Sequence, residues 1–276
     1  CAPARERCPV AACVRSSGFG SNQDTGRATR PRVTRLMQEG ERLLILGVAS
    51  LAASAISACF SVGGGYVLFG ALTWIMPLPS AIAMQSVLSF GSLFSRTHAF
   101  WADIDWPIVR TFTAGSLIGV GAGLWLFVRT PEGILSLLLG AMLLLLAWAP
   151  KIKWGVRQGA SYFGVGILHA IIGTLFGLGA ILQPVLLRSS LGRTAIVGTF
   201  ATCLILLEVL RTAGYASAGF AYASYWPEIL VATVTGLAGT WLGKRMVPML
   251  SERHFRFVLR LFITGLGLRF MHKGLA

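Results

Sequence analysis

From Leu43 to Leu93 the chain carries no charged side chain, and three consecutive glycines, Gly63, Gly64 and Gly65, interrupt the run. A soluble core element is never that long and that apolar, because about 20 such residues already cross the hydrocarbon of a bilayer as a helix. Lipid offers the backbone no hydrogen bonds, so each part of the stretch must be helical or buried against protein. Glycine costs a helix ~1 kcal/mol relative to alanine. A glycine triplet inside a membrane helix therefore predicts a break that exposes backbone to something other than lipid.

The remainder of the chain agrees with a lipid solvent. Hydrophobic residues make up 55% and charged residues 12%, against about a quarter charged in an ordinary globular domain. The fold class that follows is an all-α integral membrane protein, multi-pass, with the lipid bilayer as its surroundings. A net charge of +14 could suggest nucleic acid, but the basic residues stand singly or in small clusters between apolar spans. That is the pattern of loop charges that orient a membrane protein, with a secondary bias toward anions, so no nucleic-acid partner is expected. Cys1, Cys8, Cys13, Cys59 and Cys203 have no metal or haem spacing, and neither a metal nor a cofactor is expected.

In chain order, residues 1–41 form a polar, arginine-rich leader, read as a disordered arm, a transit-like segment or sequence preceding a true start at Met37. Leu43 to Met76 is 34 uncharged residues, longer than one crossing needs, which calls for tilt or a helix interrupted at Gly63–Gly65. A second span runs from about Ser80 to Ser95 and carries Gln85, Ser86 and Ser89. Asp105, Trp106 and Pro107 mark a membrane surface and a helix start. The third span, about Ile108 to Val128, has Gly115, Gly119 and Gly123 at four-residue intervals, the ladder that lets two membrane helices approach closely. A fourth, Ile134 to Ala149, is plain leucine and alanine, and a basic connector (Lys151, Lys153, Arg157) closes the first half.

The second half repeats this order. Gln158 to Leu187 is again overlong and uncharged, broken at Gly177 and Gly179 and followed by Gln183 and Pro184. The next span holds Thr199, Thr202, Glu208 and Arg211. Trp226 and Pro227 repeat Trp106 and Pro107, and Gly239 and Gly243 repeat Gly119 and Gly123, both at an offset of 120; Phe60 and Gly63 match Phe176 and Gly179 at 116. An internal duplication is the economical explanation, giving about eight transmembrane helices as two four-helix repeats with Gly-broken helices, 42–157 and 158–276.

These features together resemble the TauE/SafE family of membrane proteins, the sulfite exporter or anion permease family, over most of the chain from about Arg42 to Leu275. Each copy in that family opens with a GxGGG segment, a proline-bounded turn and a polar helix. Here the first copy reads Ser61, Val62, Gly63, Gly64, Gly65, with serine for the leading glycine, and the second reads Gly177, Leu178, Gly179, Ala180, Ile181, with two glycines kept. The family's threonine and serine pair appears as Gln85 and Ser86, and as Thr199 alone in the second copy. The resemblance implies transport of sulfur-containing or related organic anions such as sulfite or sulfonates across a cell membrane, a bacterial inner membrane, without naming the anion.

The residues support a site of that kind on their own chemistry. At a helix break the free N–H groups and the positive end of the dipole converge, and glycine lets an oxyanion approach the backbone. The candidate substrate-binding residues are therefore Gly63, Gly64, Gly65, Gln85, Ser86 and Ser89 in the first copy, and Gly177, Gly179, Gln183, Thr199 and Thr202 in the second. Packing between helices is the competing reading for each. Glu208 and Arg211, three apart on one helix, either pair near the membrane surface or form a coupling site for a proton or charge. His169 reads as a core histidine or a proton relay. No catalytic triad, carboxylate pair or nucleotide loop has usable spacing, so the chain is read as a transporter and not an enzyme. An intramembrane enzyme using Glu208, His169 and Arg96, or an accessory protein without flux, is the alternative. The partner is a small anionic substrate; a homo-oligomer is left open.

Overall fold

The computed structural model describes residues 32–60, 63–148, 162–179, 181–246 and 252–275. The leader 1–31, the connector with Lys151, Lys153 and Arg157, and Ser61, Val62 and Ala180 of the glycine motifs lie outside the described residues. Among the described residues all regular structure is helical.

Helix α1 (Arg32–Phe60) begins inside the segment read as leader, where Val33–Glu39 holds neither proline nor glycine to stop a helix. Helix α2 (Gly64–Ile75) follows the first break. Met76 leaves the helix in an extended conformation, and Pro77 opens α3 (Leu78–Leu88) with Pro79 in its first turn. Helix α4 (Phe90–Ala99) continues through Ser89, so that Leu78–Ala99 is one membrane-length segment. After a short 3₁₀ turn, Asp105 caps α5 (Trp106–Arg129), accepting from the Ile108 N–H at 3.1 Å. Helix α6 (Glu132–Trp148) ends the first half. The second half runs α7 (Tyr162–Phe176), the short α8 (Leu182–Leu186), α9 (Arg193–Ser217), α10 (Trp226–Met246) and α11 (Glu252–Leu275), with a 3₁₀ turn at Tyr222–Tyr225.

Four segments among the described residues are long and apolar enough to cross a membrane: Gly40–Ser57, Leu78–Ala99, Trp106–Arg129 and Thr194–Ser217. Three shorter apolar helices, α2, α6 and α7, accompany them. Large apolar side chains face outward along α5, α6 and α10, among them Leu117, Ile118, Leu145, Val234 and Trp241. Such an exterior is unfavourable in water and suits lipid.

The halves are not side by side but interleaved. Helix α1 packs along α10 and α5 along α7, so the first helix of each half lies on the Trp-Pro helix of the other. Helix α6 packs on α11, and α9 on α3 and α4. At the α5–α7 contact Gly119 rests on the Ile167 carbonyl, and a Cβ there would stand 2.8 Å from the Ala170 Cβ. Gly115 meets the Phe163 backbone in the same way, and Gly166 of α7 returns the contact to Phe112. Only hydrogen at these positions lets the two backbones come so near, and the gain is close dispersion contact. The glycine ladder is thus a packing seam. At α1–α10 the Ser50 hydroxyl adds a hydrogen bond to the Ala232 carbonyl at 2.6 Å, and Gly239 lies on the Leu51 backbone.

Candidate functional site

Both glycine segments interrupt their helices. Gly63 has φ +104° and Gly177 φ +75°, values that side-chain-bearing residues rarely adopt. These residues are 177 − 63 = 114 apart, the offset that also relates Ala81 and Ile82 to Ala195 and Ile196. In the second glycine segment the backbone break thus falls at Gly177, two residues before the glycine that an offset of 116 pairs with Gly63.

In the first break the Gly63 carbonyl accepts from the N–H groups of Tyr66 (3.1 Å) and Val67 (3.3 Å), and no side chain caps α2. The N–H groups of Gly64 and Gly65 therefore precede the first intrahelical bond, at the positive end of the helix. The two glycines differ in their surroundings. A Cβ on Gly64 would collide with the Ala53 carbonyl and Ser57 hydroxyl of α1, whereas one on Gly65 would meet only the Gln85 Nε2 at 3.7 Å and the Leu178 side chain at 4.0 Å. Gly64 lets α2 turn back on α1; Gly65 is where the backbone has room beside it.

Gln85 reaches this point from α3. It is 3% exposed, its Nε2 donates to the Gly65 carbonyl at 3.3 Å, and its Oε1 has no partner among the described residues. Leu178, from the second break, lies against Gly65, so the two interruptions meet there. Gly177 ends α7 with its N–H on the Gly173 carbonyl at 2.8 Å and packs on Phe69 and Ile82. Gly179 is pressed on the His169 ring. His169 is buried, accepts the Leu182 N–H at Nδ1 (3.2 Å) and stacks edge-on to Phe112, the arrangement of a core histidine. Gln183 is half-buried on α8.

The hydroxyl candidates separate into two groups. Thr202 donates to the Gly198 carbonyl at 2.8 Å and Ser89 to the Gln85 carbonyl at 2.9 Å, so their O–H groups turn back on their own helix. Thr199 accepts the Asp105 N–H at 2.9 Å, tying α9 to the entry of α5. Ser86 is different: fully buried, it meets the hydroxyls of Thr212 (3.0 Å) and Tyr222 (3.2 Å) as well as the Ala83 carbonyl.

One turn along α9 from this triangle lie Glu208 and Arg211. They pair, but not at a surface: Glu208 is 7% and Arg211 2% exposed. Both carboxylate oxygens take the Arg211 Nη1, at 2.9 and 2.7 Å. The Tyr215 ring stands 5.9 Å from the guanidinium carbon, and its hydroxyl donates to the Thr174 carbonyl at 2.5 Å. Arg211 Nε and Nη2 are buried without a hydrogen bond. The sequence signalled Glu208 and Arg211 as ions within a span, but gave no sign of Thr212, Tyr215 or Tyr222. Thr212 and Tyr215 are ordinary residues of a helix end, and Tyr222 is brought in only by the turn after α9, where Gly219 takes φ +97°.

Two surface cavities lie elsewhere. One, of about 460 Å³, is bounded by Pro77, Glu132, Ser136 and Lys273; the other, of about 490 Å³, is an apolar groove between α5 and α9. Neither is lined by the glycine breaks or by Arg211.

Comparison with known proteins gives these features a context. Two curated relatives, each described as a probable membrane transporter protein, come from Xylella fastidiosa strains Temecula1 and 9a5c and are 29% and 28% identical over 108 residues. The aligned stretch is 38% of this chain and 41% of either relative's length. No solved structure matches the chain. The family described as sulfite exporter TauE/SafE matches residues 46–270, both helix breaks and the buried ion pair included, and this multi-pass membrane chain belongs to that family.

Proposed function

We propose that the protein is a secondary transporter of a small sulfur-containing or related organic anion, such as sulfite or a sulfonate, in the cell membrane. The observation that carries the reading is the meeting of two glycine breaks, one from each half, beside the buried amide of Gln85. Broken helices that face each other across two halves of a chain are the common architecture of substrate sites in secondary transporters. The donors on offer suit an anion: first-turn N–H groups of α2, an amide and a buried guanidinium.

The exchange of partners between the halves, α1 with α10 and α5 with α7, supports an arrangement of about eight spans in two four-helix repeats. In that reading α2 and α8 are the half-helices of the two copies, and the substrate passes between them when the repeats move relative to one another.

The test is counterflow in liposomes of the purified protein, with radiolabelled sulfite outside and sulfite, sulfate, thiosulfate or methanesulfonate inside. Saturable uptake driven by one or more of these, with no chemical change in the label, is expected. Flux no greater than in protein-free liposomes for every anion overturns the reading.

A further inference from the structure

The pairing of Arg211 with Glu208 leaves one edge of the guanidinium free. A guanidinium presents donors on three sides. Here one nitrogen, Nη1, holds both oxygens of Glu208, and the two N–H groups that lie parallel on the opposite edge, from Nε and Nη2, hold nothing. A charged group buried to 2% with two unmatched donors is costly, since each donor loses its hydration with no bond in return. The Tyr215 hydroxyl donates to the Thr174 carbonyl, and neither nitrogen has a hydrogen bond to it.

That Nε–Nη2 edge has a specific complement. Its two N–H bonds run parallel at the spacing of two oxygens on one central atom, the fork that binds a carboxylate, sulfonate or sulfite bidentately and that a lysine ammonium cannot reproduce. The residue after Arg211, Thr212, shares a hydroxyl cluster with Ser86 and Tyr222, and a hydroxyl can turn its O–H from a backbone carbonyl toward a third oxygen. Ser86 follows Gln85 on α3, so one helix carries both a residue of this cluster and the amide at the Gly65 break.

We propose that Arg211 is the substrate-anchoring residue of this transporter, its Nε–Nη2 edge taking two oxygens of a sulfite- or sulfonate-type anion while Glu208 holds the far side of the guanidinium. This deepens the transport reading and rests on it. Arg211 is then a binding residue of the site and not merely the counter-ion of Glu208.

Arg211→Lys separates the two roles, because lysine keeps the charge for Glu208 and loses the fork. Thermal stability in detergent, with and without sulfite or methanesulfonate, and the KM of sulfite counterflow are measured on parent and variant. Expected are a ligand-induced rise in Tm for the parent that disappears in Arg211→Lys, and a KM raised tenfold or more. A variant with the parent's KM and ligand response overturns the anchoring role while leaving transport intact. A parent that neither binds nor moves any of the anions overturns transport and the anchor together. Should Arg211→Lys not yield folded protein, Tyr222→Phe decides: a KM raised several-fold at parental folded yield supports the anchored site, and an unchanged KM overturns it.

Discussion

Gly64 and Gly65 are neighbours in sequence with opposite structural duties, and alanine at each position tells them apart. In an ordinary helix Gly→Ala is worth ~0.5–1 kcal/mol in favour of folding. At Gly64 that gain is lost, because the new methyl overlaps the Ala53 carbonyl and the Ser57 hydroxyl of α1. The Ala53 oxygen is backbone and cannot rotate away, so α1 and α2 must move apart. Overpacking of this kind costs ~1–3 kcal/mol, which leaves Gly64→Ala less stable by up to ~2.5 kcal/mol. At Gly65 the methyl meets the Gln85 Nε2 at 3.7 Å and Leu178 at 4.0 Å, ordinary contact distances, so stability is kept or slightly raised. The same methyl occupies the space beside the α2 N-terminus that an oxyanion would use. Fluorescence size-exclusion and Tm measure the first effect, and sulfite counterflow per folded molecule measures the second. Gly64→Ala is expected to lower Tm and folded yield, with flux per folded molecule less affected. Gly65→Ala is expected to keep Tm and lose flux. A Gly64→Ala protein as stable as the parent, or a Gly65→Ala protein with full flux, would refute the assignment of packing to one residue and substrate space to the other.

Three further outcomes follow from the geometry. Gly119→Leu wedges a side chain between α5 and the Ile167 carbonyl of α7 and should reduce folded protein severalfold without changing KM in what remains. Glu208→Gln should abolish pH-driven uptake and spare anion-for-anion exchange in the same vesicles; parallel loss of both modes with a lower Tm would instead assign Glu208 to holding Arg211. Lys273→Ala removes a half-exposed bridge to Glu132 and should shift stability by less than ~0.5 kcal/mol, and a larger drop in folded yield would give that contact a part in the α6–α11 interface.

Much of the scaffold was legible because membrane helices write their rules in composition. The absence of charge pointed to the four membrane-length segments, Trp-Pro gave the start of α5 and of α10, and Gly115 to Gly123 gave a seam without naming its partner. The partner was not legible, since a small-residue face fits any helix that can approach it, and only the fold selects α7. The breaks were legible because three adjacent glycines have no use in a straight helix. Their inner division of labour was not: whether a glycine faces α1 or Gln85 depends on rotation about the helix axis, which a run of identical residues cannot encode. Thr199, Thr202 and Ser89 illustrate the same limit, for a hydroxyl in a helix chooses between its own i−4 carbonyl and a neighbour on energies of about 1 kcal/mol.

The distribution of polar cost through the molecule bears on where its function lies. The α5–α7 seam is built on glycine contacts and, among the described residues, encloses nothing more polar than hydroxyls such as those of Ser116 and Thr174 and the His169 imidazole, and at α1–α10 the Ser50 hydroxyl bonds the Ala232 carbonyl. A membrane helix pair needs no more than this to associate. Helix α9 instead carries a buried Glu–Arg pair, and its contact with α3 brings together the hydroxyls of Ser86 and Thr212, next in sequence to a glutamine with an unmatched oxygen. Buried ion pairs are poor stabilisers, since the desolvation of two charges rivals their attraction, and apolar side chains of similar volume often do better. Here the guanidinium also forgoes two of its donors. The chain thus departs from its inexpensive packing along α9, and ionisable groups inside spans are by default the first candidates for what a membrane protein binds or carries.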